Sequence, residues 1–216
     1  PGLVGSEMCI RDSPSIEDSI EYMAKNNGRT PEDLAYDIML ENKGNNFIYA
    51  PLVNFVDNNF DVCHEMLSDP NTIMGLGDGG AHVGFILDAG YPTWLLSYWT
   101  RDKKLFSLED SIRRLTSDTA SAIGLYDRGA IKEGLKADIN ILDIENLGSS
   151  DPYMLKDLPA GGSRLMQKTS GYLANIVSGK ITYVKGKKEN VLPGKLVKLI
   201  NIQEKFKEKD LSLIHI

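Results

Sequence analysis

The chain has 216 residues, of which 42% are hydrophobic and 25% charged, so it resembles an ordinary soluble globular protein that is long enough to bury a core. No run approaches the roughly 20 apolar residues that a membrane-spanning helix needs. Because 24 Lys and Arg stand against 30 Asp and Glu, the formal net charge is -6, which argues against nucleic acid and anionic membrane surfaces as partners.

The two ends of the chain differ in character from the rest. Residues 8–13 and 211–216 can be back-translated into nucleotide strings that are reverse complements over almost their whole length. They resemble the transposon adapter used to prepare sequencing libraries, and residues 3–7 continue its upstream part. We therefore expect residues 1–13 and 211–216 to be translated adapter, and the remainder to be an internal piece of a longer protein.

Without those ends, the chain keeps one cysteine, Cys63, and two histidines, His64 and His82. A single thiol cannot form an internal disulfide, so the sequence does not indicate an oxidising compartment. We expect a cytoplasmic protein.

Alternating helices and strands are predicted for the first third of the chain. Ser15 and Asp18 have capping-box spacing before a helix that extends to residue 26. Thr30 and Pro31 begin a second helix, which is predicted to bury Leu34, Ile38 and Met39 and to end before residue 42. A strand at 47–50, a helix at 58–68 and a strand at 73–76 follow. This order is typical of βαβ units and a parallel sheet.

The most informative stretch is residues 72–83. The apolar run 73–76 predicts a strand that is covered on both faces, and Asp78 follows it between Gly77, Gly79 and Gly80. A carboxylate at the carboxyl end of a parallel strand is where α/β folds form their active sites. Taken alone, however, an Asp beside glycines is also typical of a plain turn.

Beyond this stretch, Thr93 is predicted to cap a helix that carries Trp94, Tyr98 and Trp99 as core residues. Ser107 and Asp110 form a capping box for a helix that should bury Ile112, Leu115 and Ile123 and end at Gly124. Short β-branched runs then predict strands at 128–131, 138–143, 174–177 and 181–184, with a tight hairpin at 178–179. We place a domain boundary near 125–127, and residues 195–209 could form a terminal helix or be solvated.

Several motifs together resemble one family, the amidohydrolase superfamily, and within it the N-acyl-D-amino-acid deacylase (D-aminoacylase) branch. The likeness covers nearly all of residues 29–197. The motifs that carry it are Gly75-Leu76-Gly77-Asp78-Gly79-Gly80-Ala81-His82, Asp127-Arg128-Gly129-Ala130-Ile131, Gly134 with Lys136-Ala137-Asp138-Ile139, Asp157-Leu158-Pro159-Ala160-Gly161-Gly162 and Leu192-Pro193-Gly194.

The resemblance implies an α/β fold: the carboxyl-terminal part of a (β/α)8 TIM-type barrel over residues 14–126, followed by part of a small β-sandwich domain over 127–210. It makes residues 73–76 the eighth barrel strand and residues 47–50 the seventh. In whole proteins of the family, both termini contribute to the small β-domain.

The resemblance also implies a metal-dependent hydrolase of non-peptide carbon-nitrogen bonds, with Asp78 as the catalytic general base and with Gly79, Gly80 and His82 in the substrate loop. Zn²⁺ or another divalent metal is the implied cofactor. Most of its ligands are expected upstream of Pro14, and Asp78 would contact only a second ion. General chemistry agrees, because a carboxylate can take a proton from water and return it to the leaving nitrogen of an amide.

Other residues have less specific interpretations. His82 could face the substrate or brace the glycine loop, whereas His64 and Cys63 are expected to pack or to lie at the surface. Arg128 is expected to fasten the domain junction and Asp138 to order a turn, and residues 185–188 to form a solvated hairpin end. Because no arginine lies between Asp78 and Arg101, the carboxylate-binding arginine of characterised deacylases has no counterpart here.

Three functions stay open at this point. The first is deacylation of a small-molecule N-acyl amino acid to a carboxylate and an amino acid. The second is hydrolysis of a cyclic amide, as in dihydropyrimidinase or dihydroorotase. The third is a non-catalytic homologue that serves in assembly. The sequence gives neither the oligomeric state nor the acyl group, and we expect residues 14–210 alone to be inactive.

Overall fold

The computed structural model describes residues 4–5, 15–50, 55–75, 84 and 89–197. Its α-helices are α1 (Ile20–Asn26), α2 (Pro31–Gly44), α3 (Asp61–Ser68), α4 (Tyr91–Trp94), α5 (Leu108–Arg113) and α6 (Thr119–Ala122). Its strands are β1 (Val4–Gly5), β2 (Ile48–Tyr49), β3 (Ile139–Leu142), β4 (Gly148–Ser149), β5 (Tyr153–Leu155), β6 (Arg164–Met166), β7 (Thr169–Ser170), β8 (Tyr172–Val177), β9 (Lys180–Val184) and β10 (Lys187–Lys188).

Helical turns of other kinds join these elements. Three 3-10 turns span Ile16–Asp18, Val56–Asn58 and Pro159–Gly161, and two π-helical stretches span Leu95–Asp102 and Arg114–Asp118. No described helix is both long enough and apolar enough to cross a membrane. Of the expected adapter, residues 1–3, 6–13 and 211–216 lie outside the described part.

The first predicted helix is confirmed, but it is broken at Ser19. The backbone amide and hydroxyl of Ser15 both donate to the Asp18 carboxylate, at 3.0 and 2.7 Å, so the predicted capping box closes the 3-10 turn. Ser19 has an extended backbone, and its hydroxyl accepts a bond from the Tyr22 amide at 3.2 Å, which starts α1. The predicted capping box is therefore present, but it caps the 3-10 turn Ile16–Asp18 that precedes α1.

Helix α2 begins as predicted, because the Thr30 hydroxyl accepts a bond from the Asp33 amide at 3.2 Å and Pro31 takes the first turn. Its regular part ends before Glu41, where the backbone leaves helical dihedrals. Leu34 and Ile38 are half-buried, but Met39 is exposed, contrary to the prediction. The buried apolar face of α2 is therefore narrower than the spacing of apolar residues in the sequence indicated.

Of the two strands assigned to the barrel, the one predicted at 47–50 is confirmed as the shorter β2, whereas the described residues 73–75 of the other form no strand. Strand β2 pairs antiparallel with β1, and all other pairings between described strands are antiparallel too. Residues 72–75 form no strand, Ile73 is 51% exposed, and Leu76 lies outside the described residues. A parallel strand needs hydrogen-bonding neighbours along its length, and the described strands provide none for this segment.

The longest buried helix combines α4 with the π-helical stretch Leu95–Asp102, and we call the two together the aromatic helix. It begins at Tyr91 after Gly90, so Thr93 is not its cap, contrary to the prediction. Thr93 instead lies inside the first turn and is only 3% exposed. Pro92 lies in that first turn, where a backbone amide has no acceptor within the helix. The missing amide of proline therefore costs no hydrogen bond there.

The aromatic helix carries the main hydrophobic core of the described chain. Leu95, Tyr98, Trp99 and Phe106 are buried together, and we call these four residues the aromatic cluster. The prediction that Tyr98 and Trp99 are core residues is confirmed. Phe60, in front of α3, meets Trp94, Tyr98 and Trp99 in edge-to-face contacts at 5.2, 6.1 and 6.2 Å between ring centroids. Aromatic contacts of this geometry add to the free energy gained from burying apolar area.

The next helical stretch runs through α5, Arg114–Asp118 and α6. Ser107 caps it, accepting a bond from the Asp110 amide at 3.1 Å, and it ends before Gly124, as predicted. The prediction that Ile112 and Ile123 are buried was wrong, because both side chains are exposed. Small residues make the close contact instead: Ser111 is fully buried, and its hydroxyl lies 2.6 Å from that of Thr100 on the aromatic helix.

A four-stranded antiparallel sheet in the order β10-β9-β8-β3 dominates the second half of the chain, and we call residues 139–188 the β region. The predicted strands near 138–143, 174–177 and 181–184 are confirmed, as is the hairpin turn at Ser178 and Gly179. The strand predicted at 128–131 is absent, because Gly129 has a φ of +92° and Ile131 is 88% exposed. Residues 195–197 form no regular structure, and the rest of the predicted tail lies outside the described residues.

Gly171 is the most tightly enclosed glycine in the described chain. Its φ is +81°, and a Cβ built there would lie 2.6 Å from the Leu147 Cα and 2.8 Å from the Asp143 carbonyl oxygen. Both backbones would have to move to admit a side chain. The bend between β7 and β8 therefore depends on glycine.

We predict that Gly171→Ala lowers the free energy of unfolding by about 2–4 kcal/mol, because steric overlap with backbone atoms adds to the strain of a positive φ. Gly179→Ala is the matched control, since its φ is +74° but a Cβ there would meet nothing within 4 Å. It should cost about 1–2 kcal/mol. Equal losses in urea denaturation would contradict the close packing at Gly171.

We predict that Trp99→Ala costs about 3–5 kcal/mol of unfolding free energy, because the indole is 2% exposed and lies at the centre of the aromatic cluster. Tyr36→Ala is the control, because Tyr36 is 61% exposed on α2, and its loss should change stability by no more than about 0.5 kcal/mol. Similar unfolding midpoints for both variants would refute the assignment of the core.

Asp138 orders the hairpin turn, as the sequence predicted. Its carboxylate accepts a bond from the Ser178 amide at 2.9 Å and another from Lys136, and the Arg128 guanidinium lies 3.8 Å away. Burial raises the pKa of this carboxyl, but the two hydrogen bonds and the nearby positive charges outweigh burial and hold the pKa below its usual range.

A carboxyl whose pKa is lower in the folded protein stabilises the fold above its unfolded pKa of about 4, and loses that effect as the pH falls. We therefore predict that Asp138→Asn destabilises the protein at pH 6–7, and that the difference from wild type shrinks below about pH 4. Asp37→Asn, which removes an exposed ion pair with Arg29, should have little effect. A difference that grows on acidification would contradict the prediction.

Candidate functional site

The predicted site residues Asp78, Gly79, Gly80 and His82 lie outside the described residues. The structure describes the chain up to Gly75 on one side of them, and from residue 89 on the other. The contacts of these two flanks show how the chain is held on either side of the candidate site.

The upstream flank is held by the end of α3. The Thr72 hydroxyl lies 2.6 Å from the Met66 carbonyl and 2.9 Å from that of Asp69, and the Arg114 guanidinium donates to the Leu67 carbonyl. Met74, four residues before Asp78, packs against the aromatic cluster. The segment that leads into the candidate site is thereby attached to the aromatic helix.

The downstream flank enters the same helix at a point of contact with the β region. A Cβ on Gly90 would lie 3.4 Å from Oε1 of Gln167 and 3.8 Å from Oγ of Ser149. The Trp94 amide donates to the Gly90 carbonyl at 3.0 Å, which closes the first helical turn. Gly90 is therefore a contact point between the start of the aromatic helix and the β region.

One buried hydroxyl connects the helix start with the central sheet. Oγ1 of Thr93 lies 2.9 Å from the phenolic oxygen of Tyr172, the first residue of β8. One turn later, the Ser97 hydroxyl donates to the Thr93 carbonyl at 2.9 Å. A buried hydroxyl without a partner would be costly, so the Tyr172 contact stabilises Thr93 in its buried position.

Arg101 fixes the other end of the aromatic helix. Its Nη1 donates to the carbonyls of Ile144, Glu145 and Leu147 at 3.0, 3.3 and 2.6 Å. The hydrogen bond to the Asp102 carboxylate raises the pKa of the arginine, although burial acts in the opposite direction. Since all three guanidinium nitrogens are engaged within the chain, Arg101 serves packing and is not available to hold a substrate carboxylate.

His64 and Cys63 have the packing roles that were expected. The His64 ring stacks on Trp99, with centroids 5.8 Å apart and planes inclined by 16°, and Cys63 packs against the same aromatic cluster. Burial raises the pKa of the Cys63 thiol, which lowers its thiolate fraction at neutral pH. Neither residue has the surroundings of a nucleophile or a base.

Arg128 lies between α6 and β3, and its expected role of fastening a domain junction stays a prediction. Its guanidinium donates two bonds to the Asp127 carboxylate, at 2.8 and 3.0 Å, and hydrogen bonding to that arginine lowers the pKa of Asp127. The adjacent Gly129 leaves no room for a side chain, because a Cβ would lie 3.0 Å from the Ser117 Cα. Lys187 and Lys188 are exposed in the hairpin end, as expected.

The described residues do not provide a metal centre. Among them, no three His, Cys, Asp or Glu side chains come together in a way that could hold an ion. His64 is committed to its aromatic neighbours, and Asp138 to a turn. The described residues therefore supply no ligand set for the divalent metal that the resemblance implies, and the ligands expected upstream of Pro14 and at Asp78 lie outside them.

Sequence reasoning missed the residues that frame the site. Tyr172, Arg101 and Gly90 act through partners that are distant in the chain; Thr93 and Tyr172, for example, are 79 positions apart. Only the enclosed Gly171, directly before an apolar strand, gives a local signal of a special backbone position.

The chain is similar to several known proteins in sequence or in structure. A dihydroorotase of Lactobacillus acidophilus is 31% identical over 98 residues, which is 44% of this chain and 22% of that protein. Two solved structures of D-aminoacylase align with 88% of this chain and 36% of theirs, at 20% and 18% identity and a TM-score of 0.49. One of them concerns the binuclear metal centre of that enzyme. At this TM-score and identity, the structural likeness decides neither fold nor activity.

The chain thus covers 22% of the dihydroorotase and 36% of each D-aminoacylase, or about a fifth to a little over a third of their length. A family model described as the amidohydrolase family matches residues 15–183, which is well over half of the chain. The predicted superfamily is confirmed: this chain belongs to the amidohydrolase family.

Proposed function

We propose that the whole protein hydrolyses a non-peptide carbon-nitrogen bond in a small-molecule amide, and that its substrate is an N-acyl-D-amino acid. The observation that carries the proposal is the family match over residues 15–183, which includes Asp78 in its glycine-rich segment. The anchoring of both flanks of that segment on one buried helix supports it, since catalytic groups need a rigid scaffold.

In this proposal Asp78 is the general base. Its carboxylate takes a proton from the attacking water while the water oxygen bonds to the amide carbonyl carbon. The same carboxyl then gives that proton to the nitrogen as the carbon-nitrogen bond breaks, so the products are a carboxylate and a free amino acid. Proton return is necessary, because an amide anion is a poor leaving group.

The neighbouring residues of the segment are proposed to serve the substrate. Gly79 and Gly80 let the backbone approach a bound amide closely, because no side chain is in the way. His82 is proposed to donate a hydrogen bond to the substrate, and its other possible role, bracing the glycine loop, stays open. Zn²⁺ or another divalent metal belongs to the proposal only through the resemblance, and no step is assigned to it.

We also propose that residues 14–126 complete a barrel with other strands of the whole protein, and that residues 127–210 belong to a β-sandwich. Support comes from one face of the described sheet. Paired positions there place apolar side chains side by side, and none of them is fully buried: Ile139, Ile141, Ala174, Ile176, Ile181 and Val184. A sheet face of this composition normally packs against a second layer.

Hydrolysis of a cyclic amide is the second candidate, because the curated relative with 31% identity is a dihydroorotase. The two functions differ in their products: deacylation releases two molecules, whereas opening a cyclic amide gives one. The choice between them therefore depends on product analysis with the full-length protein.

The experiment that tests the proposal offers N-acetyl-D-amino acids, the matching L-enantiomers and hydantoins to the full-length protein. We expect release of acetate and a free D-amino acid. Turnover of hydantoins alone would favour the second candidate. Absence of turnover on all three substrate classes would favour a non-catalytic homologue.

We predict that Asp78→Asn in the full-length protein lowers kcat by about 10²- to 10⁴-fold, because the amide side chain cannot accept the proton of the attacking water. Asp37→Asn is the control, since Asp37 pairs with Arg29 at the exposed surface and should leave kcat within about twofold. Full activity in Asp78→Asn would remove the proposed base.

A further inference from the structure

The aromatic helix is attached to the β region at two points eight residues apart. At its start, Thr93 meets Tyr172, and at its end, Arg101 meets the Leu147 carbonyl. Two attachment points at this separation, about two turns of helix, restrict both sliding and rotation of the helix.

The two attachment points are also connected to each other through the β region. Gly171 packs against the Leu147 backbone so closely that a Cβ would lie 2.6 Å from its Cα. The Asp143 amide donates to the Gly171 carbonyl at 2.8 Å, and Tyr172 follows directly. The contacts therefore form a closed ring from Thr93 through Tyr172, Gly171 and Leu147 to Arg101, and back along the helix.

Within this ring, the contact of Tyr172 is chemically specific. Thr93 is 3% exposed, so water cannot easily replace the phenol as its partner. Tyr172 reaches the helix only three residues after Gly90, where the chain emerges from the candidate catalytic segment. Met74, at the entrance to that segment, packs against the buried cluster that Leu95, Tyr98 and Trp99 of the same helix form with Phe106.

We propose that Tyr172 is a positioning residue for the hydrolytic reaction. Through its hydrogen bond to Thr93, it fixes the start of the aromatic helix and with it both described flanks of the segment that contains Asp78. This inference rests on the proposed function, and it adds a residue of the β region to the machinery that orients the general base. Tyr172 itself does not touch the reacting atoms.

The test compares four single variants of the full-length, metal-loaded protein and the double variant Tyr172→Phe/Thr93→Val. Tyr172→Phe and Thr93→Val each remove one hydroxyl with little change in shape, whereas Thr93→Ser keeps the hydroxyl. Tyr183→Phe is the matched control, since Tyr183 is an exposed tyrosine of the neighbouring strand β9. For each variant, kcat, KM, the midpoint of thermal unfolding and amide hydrogen exchange over residues 91–102 are measured.

We expect Tyr172→Phe and Thr93→Val to lower kcat about 3- to 10-fold with KM nearly unchanged, because misplacement of a base affects the transition state more than substrate binding. The double variant should be no worse than either single one, and Thr93→Ser should retain wild-type kcat. Amide exchange in the aromatic helix should quicken in the two variants that lose a hydroxyl, and not in Tyr183→Phe.

Unchanged kcat in Tyr172→Phe, with only a lower unfolding midpoint, would overturn the positioning role and leave the proposed hydrolysis intact. Additive losses in the double variant would also overturn it, because they would show that the two hydroxyls do not act as a pair. Faster exchange over residues 91–102 in a protein that hydrolyses no N-acyl amino acid would support the anchor and contradict the proposed function.

Discussion

The burial of one aromatic helix is the constraint on which the described structure depends. Trp99 and its buried neighbours gather the end of α3, Met74 and Phe106 around a single stretch of chain. Apolar burial of this size is the main favourable term in folding, and it is independent of any ligand. The described flanks of the candidate segment, at Met74 and at the aromatic helix, are therefore packed together by the chain itself. A catalytic carboxylate needs a rigid support, because small displacements of a catalytic group cost large factors in rate.

Polar contacts give this packing its orientation. Apolar burial is non-directional, so it cannot by itself decide how the helix is rotated or how far it slides. The hydroxyl pair of Thr93 and Tyr172 and the three carbonyl contacts of Arg101 supply that direction. Gly171 makes the ring possible by letting two backbones approach each other without a side chain between them. These contacts attach the β region to the aromatic helix at both of its ends.

Local signals in the sequence predicted local structure well. Thr30 and Ser107 cap the helices that they were expected to cap, and Ser178 with Gly179 forms the expected hairpin, because each depends on neighbours within three or four positions. The predictions that were wrong depend on distant partners. The sequence predicts Thr93 as a helix cap, because the residues around it give no sign of its hydrogen bond to Tyr172. The strand expected at 73–76 needs pairing partners that the described strands do not supply. Asp78 could be selected from its glycine setting, but the anchors of its flanks could not.

The central claim is that Asp78 stands beside the bond that is broken, on a segment whose flanks the aromatic helix holds. A crystal structure of the full-length protein with a bound, uncleaved amide analogue measures this directly. The account predicts a carboxylate oxygen of Asp78 within about 2.6–3.2 Å of the water that attacks the amide carbon. An Asp78 side chain that is packed in the interior, or that points away from the bound amide, would contradict it.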